Sequence, residues 1–164
     1  MDSVGQRTGD RRLSQNDLQN VFPNLAADGY VITSPMSRRY NCIAWAAGDT
    51  RIKWDPTGFP KPGFFWPTNA IHGEIMEALI SVFRLEGYEV CADESLESGF
   101  EKVVLYVNET GNWTHAAKQL PDGRWSSKLG DAEDVTHTTP HGVEGEVYGR
   151  IGYYMKRPAA STNR

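Results

Sequence analysis

The stretch Asn112-Trp-Thr-His-Ala-Ala-Lys-Gln-Leu-Pro-Asp-Gly-Arg-Trp-Ser-Ser-Lys-Leu-Gly130 decides the reading of this chain. Two β-prone segments, Asn112 to Leu120 and Arg124 to Leu129, flank Pro121-Asp-Gly123, which is a hairpin signal. Alternation places Trp113, His115, Ala117 and Gln119 on one face of the first strand. A three-residue loop pairs Leu120 with Arg124 and sets Ser127 opposite Ala117, diagonal to His115. A two-residue loop puts Ser126 and Lys128 on that face instead, because a slip of one residue moves every side chain across. Ser127 is the preferred neighbour of His115, and Asp131 the other candidate.

Outward from the hairpin, the second half of the chain reads as sheet. Tyr88 to Ala92 is a short strand, Phe100 to Val107 a stronger one, and Tyr148 to Met155 a final one. Gly130 to Glu146 reads as a polar, irregular loop. The first half reads as helical. Ser14-Gln-Asn-Asp17 caps a short helix ending near Phe22, and Tyr30 to Thr33 is a brief β-prone run. Asn41 and Gly48 are good N-cap and C′ residues for a helix from Cys42 to Ala47. Residues 54–67 hold four prolines and five aromatics and read as an ordered loop. Thr68 caps the longest helix, where Ile71, Ile75, Leu79, Val82 and Phe83 recur at helical spacing before Gly87. The expected fold is α+β, a helical first half packed on an antiparallel sheet. One domain over 14–157 is expected, with loose ends at 1–13 and 158–164.

The composition excludes several classes. The chain has 164 residues and a net charge of −4, so general phosphate binding lacks its clustered Lys and Arg. No nucleic-acid partner is expected. No apolar run approaches the ~20 residues of a membrane span, and no secretory leader is visible. Two cysteines, Cys42 and Cys91, make no disulfide framework, which favours a cytoplasmic setting.

Cys42 is the first candidate for chemistry. A thiolate is the reactive form, and a helix start stabilises it through unpaired amides, which can also hold an oxyanion. His115 is the candidate base, and a third polar group such as Ser127 would orient its ring. Cys91 reads as a strand-core thiol. His137 and His141 have metal-like spacing, with Asp134 and Glu144 nearby, but two histidines in a loop are too few for zinc, and a solvated loop is the expectation. Trp54, Phe59, Phe64, Phe65 and Trp66 form either a substrate lip or a cap on the core. Asn108-Glu-Thr and Asn112-Trp-Thr match glycosylation acceptors, which matter only in a secretory pathway.

Cys42-Ile-Ala-Trp45-Ala at a helix start, a later strand His115 and a polar residue on the next strand resemble the papain-like superfamily, in size its small bacterial amidase and endopeptidase branch. The longer pattern around Cys42 and His115 also resembles a group of uncharacterised bacterial proteins. The superfamily resemblance implies a papain-like fold and a cysteine hydrolase that cleaves a peptide, isopeptide or peptidoglycan-type amide. Cys42 would be the nucleophile, His115 the base and Ser127 the orienting residue. Asn41, Trp45 and Trp66 are the candidate substrate-binding residues, with no cofactor and no metal. Papain itself has Gln before its Cys and Asn after its His, a pattern this chain does not share. Two other functions fit the same residues: a papain-fold binding module that grips a peptide or sugar with loop 54–67, and a toxin or exported effector using the Cys–His pair.

Overall fold

The computed structural model describes residues 15–34, 37–57, 61–130 and 133–160. Asp131, Phe59 and most of both chain ends lie outside them.

The run Val103-Val-Leu-Tyr-Val107 explains the architecture. It lies in strand β5 (Phe100–Val107), and its side chains are buried on alternate faces. Val103, Leu105 and Val107 join one core, and Val104 and Tyr106 join another. A strand covered on both sides needs no polar face, so the run is continuously apolar. β5 is an inner strand of a seven-stranded sheet of order β1-β8-β7-β6-β5-β9-β4. The strands are β1 (Tyr30–Ser34), β4 (Glu89–Cys91), β5, β6 (Trp113–Gln119), β7 (Trp125–Lys128), β8 (Asp134–His137) and β9 (Arg150–Pro158). Every neighbouring pair is antiparallel. Two short strands, β2 (Lys53–Trp54) and β3 (Phe64–Phe65), pair in parallel beside it.

Among the described residues, four short helices cover this sheet. Ile43 and Ala44 of α3 (Cys42–Ala47) and Leu79, Val82 and Phe83 of α4 (Met76–Leu85) pack on one face, with Leu105, Ala116 and Met155. Leu18 of α1 (Gln15–Val21), Phe22 and Leu25 of α2 (Asn24–Asp28) pack on the other, with Tyr106, Ala117 and Val135. The expected helical first half packed on a sheet, and with it the papain-like architecture, is therefore corrected. The molecule is mainly one large antiparallel sheet, and its few helices are short and divided between two faces.

The longest helix also begins later than its apolar spacing suggests. Residues 68–75 are not helical. Gly73 has φ +118°, which no helix residue adopts, and Ile71 and Ile75 are about half exposed, at 47% and 48%. Ile75 instead bridges to Asn112, and the Trp113 amide donates to the Glu74 carbonyl. Loop 54–67 contributes β3 and the end of β2. The supposed loop 130–146 holds β8, buried throughout, and a 3-10 helix over Pro140–Val143.

Two irregularities meet on β5. Tyr106 pairs with both His115 and Ile151, whereas Val107 pairs with Trp113 and Arg150, so Thr114 is an extra residue on β6. Gly152 is the extra residue on β9, between Tyr153 opposite Leu105 and Ile151 opposite Tyr106. Bulges reset the alternation. Trp113 packs on the α3–α4 core, while His115 stacks on Tyr148 of the other core. The expected common face for Trp113 and His115 is thus corrected. Gly149 has φ +74°, and a Cβ there would stand 2.2 Å from the Val107 carbonyl oxygen, so the chain crosses β5 at a distance only glycine permits.

The later helix start has a measurable consequence. Ile71→Ser changes unfolding free energy by no more than about 0.5 kcal/mol, as an exposed position should. Leu79→Ala, at a fully buried position, costs roughly 2–5 kcal/mol. Equal losses in urea denaturation would restore the longer helix.

Candidate active site

Cys42 opens α3, and the local sequence explains why. The Asn41 side chain accepts the Ala44 amide at 3.1 Å, an N-cap, and Gly48 takes the left-handed conformation at the other end (φ 89°, ψ 16°). Asn41 is fully engaged. Its Oδ1 also accepts the Trp54 amide at 3.2 Å, and its Nδ2 donates to the Trp54 carbonyl at 2.8 Å, tying β2 to the helix start.

Helix α3 packs against β6 and β7. These two strands pair at only two positions, Lys118 with Ser126 and Gln119 with Trp125. The Leu120 amide donates to the Arg124 carbonyl at 2.7 Å, so the hairpin has the three-residue loop. Beyond Ser126, β7 pairs with β8 alone. In the gap, the Ala116 amide lies close enough to the Cys42 sulfur to favour its thiolate, as does the amide of Ile43. Ala116 follows His115 in sequence, but Cys42 packs against the α3–α4 core, whereas His115 stacks on Tyr148 of the other. Cys42 keeps some surface exposed, but the protein crowds its thiol. Burial pushes that thiol up to about 11, against a smaller downward pull from these amides and from Lys128. The direction is opposite to that expected of a thiol at a helix start.

His115 is fully buried on β6. Its Nε2 lies 3.0 Å from Ser127 Oγ, and Ser127 Oγ lies 2.8 Å from His137 Nε2. The structure therefore brings His115 together with Ser127, as the three-residue loop predicts, and adds a second imidazole behind it. Tyr148 lies flat on His115, centroids 3.9 Å apart and planes 5° apart. The hydroxyl of the bulged Thr114 donates to the Tyr148 carbonyl, so the bulge helps to seat that ring. Burial holds His115 well below the usual imidazole range, with His137 adding to the effect, and burial lowers His137 too. His115 Nδ1 has no hydrogen-bond partner among the described residues. No hydrogen bond therefore joins it to the Cys42 sulfur.

The remaining candidates fall in different places. The Trp45 indole donates to Ser126 Oγ at 3.0 Å and lies under Lys118 Nζ, 3.9 Å from its ring centroid. Trp66 is buried in the α3–α4 core, and its indole donates to the Ile71 carbonyl. A groove of about 400 Å³ runs past Asn41, Trp54, Asp55, Thr57, Phe64 and Trp113. His137 and His141 do not converge: His141 Nδ1 meets Glu144 Oε1 at 2.7 Å, while His137 turns inward. Asp134 accepts the Tyr40 hydroxyl at 2.9 Å. The described residues hold no group of three or more His, Cys, Asp or Glu side chains fit for a metal ion, and no helix among them is long and apolar enough to cross a membrane.

The sequence places His137 in a solvated loop and gives Tyr148 no role, whereas His137 is buried on β8 and Tyr148 stacks on His115. The signal for His137 was a short alternating run, Asp134-Val-Thr-His137, overshadowed by the polar residues around it.

The chain belongs to the DUF7689 family, a domain of unknown function whose model matches residues 31–156. No curated protein and no solved structure matches it. The matched span contains Cys42, His115, Ser127 and His137.

Two neutral buried histidines make stability depend on pH. Unfolded, both titrate near ~6.5; folded, both do so lower. Between those values the unfolded chain binds more protons, so the stability present above about pH 6.5 is lost as pH falls towards the folded values. Unfolding free energy should therefore decline from about pH 7.5 to 5, and more shallowly in His137→Gln. A flat profile in the parent protein would contradict their neutral burial.

Proposed function

We propose that the protein is a thiol hydrolase that cleaves an amide bond, with Cys42 as nucleophile and His115 as base. One observation carries this reading. His115 is held through Nε2 by Ser127 at 3.0 Å while its Nδ1 is unpartnered, and Tyr148, which lies flat on that ring, is close enough to Cys42 for the two to interact electrostatically. A base needs a free lone pair near the proton it removes, and catalytic contacts are often loose before substrate binds. In this mechanism Nδ1 takes the thiol proton as the sulfur attacks the carbonyl carbon. The same nitrogen returns the proton to the departing amine, leaving an acyl group on sulfur. Water, deprotonated by Nδ1, then releases the acid and restores the thiol. The small amidase and endopeptidase branch of the papain-like superfamily supplies the chemical precedent, through residue types and order rather than architecture.

A second reading keeps the site without turnover, as a binding module. The high thiol pKa and the absence of exposed His115 surface support it, as does the groove beside Asn41. Its ligand would be a peptide or sugar. The toxin or effector reading shares the hydrolase chemistry and differs in setting. A cytoplasmic location is part of the proposal.

Iodoacetamide separates the two main readings. Under the hydrolase reading Cys42 in the folded protein reacts faster than Cys91, and His115→Gln slows Cys42 by at least about tenfold, a fraction of what a general base contributes. Reaction of Cys42 only after denaturation, or at a rate indifferent to His115, leaves the binding module.

A further inference from the structure

We infer that His137 is a positioning residue that selects the tautomer of His115 through Ser127. Proton positions follow from the fixed end of the chain of hydrogen bonds. The Thr139 carbonyl can only accept, and it lies 2.7 Å from His137 Nδ1, so that nitrogen carries a proton. A neutral imidazole has one N–H, which leaves His137 Nε2 as a bare acceptor. Ser127 Oγ, 2.8 Å away, therefore donates its single proton to it. Towards His115 the same oxygen has only lone pairs to offer, so His115 Nε2, at 3.0 Å, is the N–H. His115 Nδ1 is then left without a proton, and no described residue bonds to it.

The fixed end is itself anchored. Asp28, the last residue of α2, accepts the Thr139 amide at 2.9 Å on Oδ2 and the Thr139 hydroxyl at 2.6 Å on Oδ1. Gly142 passes so near that a Cβ there would lie 2.6 Å from Oδ2. A helix from the start of the chain thus sets the carbonyl from which the whole sequence of donors is read. Were the order reversed, Ser127 would donate to His115 Nε2 and Nδ1 would hold the proton. Such a ring could not accept a proton at Nδ1.

The use of the bare Nδ1 as a base rests on the proposed hydrolase reading, but the proton order does not, and the test reads it directly. Long-range ¹H–¹⁵N spectra of the ¹⁵N-histidine-labelled full chain at neutral pH are assigned with single variants of the other histidines. The expected result is a protonated Nδ1 on His137 and a protonated Nε2 with bare Nδ1 on His115. In His137→Phe the acceptor is gone, and His115 should populate both tautomers. His137→Gln retains an acceptor and should restore one. The pH midpoint of Cys42 alkylation should rise in His137→Phe and return in His137→Gln, a change that simple loss of packing would not reverse. A wild-type His115 with its proton on Nδ1, or a folded His137→Phe with an unchanged His115 spectrum, overturns the inference. If His137→Phe does not fold, the two wild-type tautomers decide it alone. Tautomers as assigned with an inert Cys42 would sink the hydrolase and leave the positioning role; a reactive Cys42 with the opposite tautomers would do the reverse.

Discussion

Strands β6 and β7 remain paired at two positions and then part, and the candidate site exists because of that parting. A closed ladder would bind the Ala116 amide to β7 and leave no room for a sulfur. β7 pairs with β8 on its other edge along its whole length, so on the β6 side the gap beyond Ser126 is open to the start of α3, where the Ala116 amide lies near the Cys42 sulfur. The parting also frees Ser127 to stand between imidazoles from two different strands, His115 on β6 and His137 on β8.

The site carries an internal tension. Fully buried histidines are held neutral, and a crowded thiol is pushed up rather than down. Under the proposed hydrolase reading, a thiol pushed up by burial and a histidine held neutral favour the neutral pair over thiolate and imidazolium. On that reading the proton would move during attack, and the direction of the hydrogen bonds around His115 would matter more than a preformed ion pair. The Tyr148 ring stacked on His115 adds to the exclusion of water that keeps it so.

Local chemistry made some elements legible. The α3 helix runs from Cys42 to Ala47 between Asn41 and Gly48 because an N-cap and a left-handed glycine act within one turn. The 121–123 turn sets its own register through the Leu120–Arg124 bond, and this brings Ser127 to His115. Periodicity misled where tertiary contacts overrode it. Ile71 and Ile75 sit at helical spacing from Leu79, yet Gly73 and the bridge to Asn112 keep that segment extended. Trp113 and His115 alternate in sequence, yet the extra residue at Thr114 sends them to opposite faces.

By itself the sequence determined the short helix under Cys42, an inner apolar strand, the hairpin with two possible registers, and the pairing of residue types that suggests thiol chemistry. Each depends on neighbours a few positions apart, where backbone dihedrals and caps decide. Only the tertiary structure decided that helices cover both faces of one large sheet, that the supposed loop 130–146 contains a buried strand, and that His137 completes the site from a sequence distance of 22 residues beyond His115. These depend on which strands close on one another and where a bulge interrupts them, and long-range contact energies settle that choice.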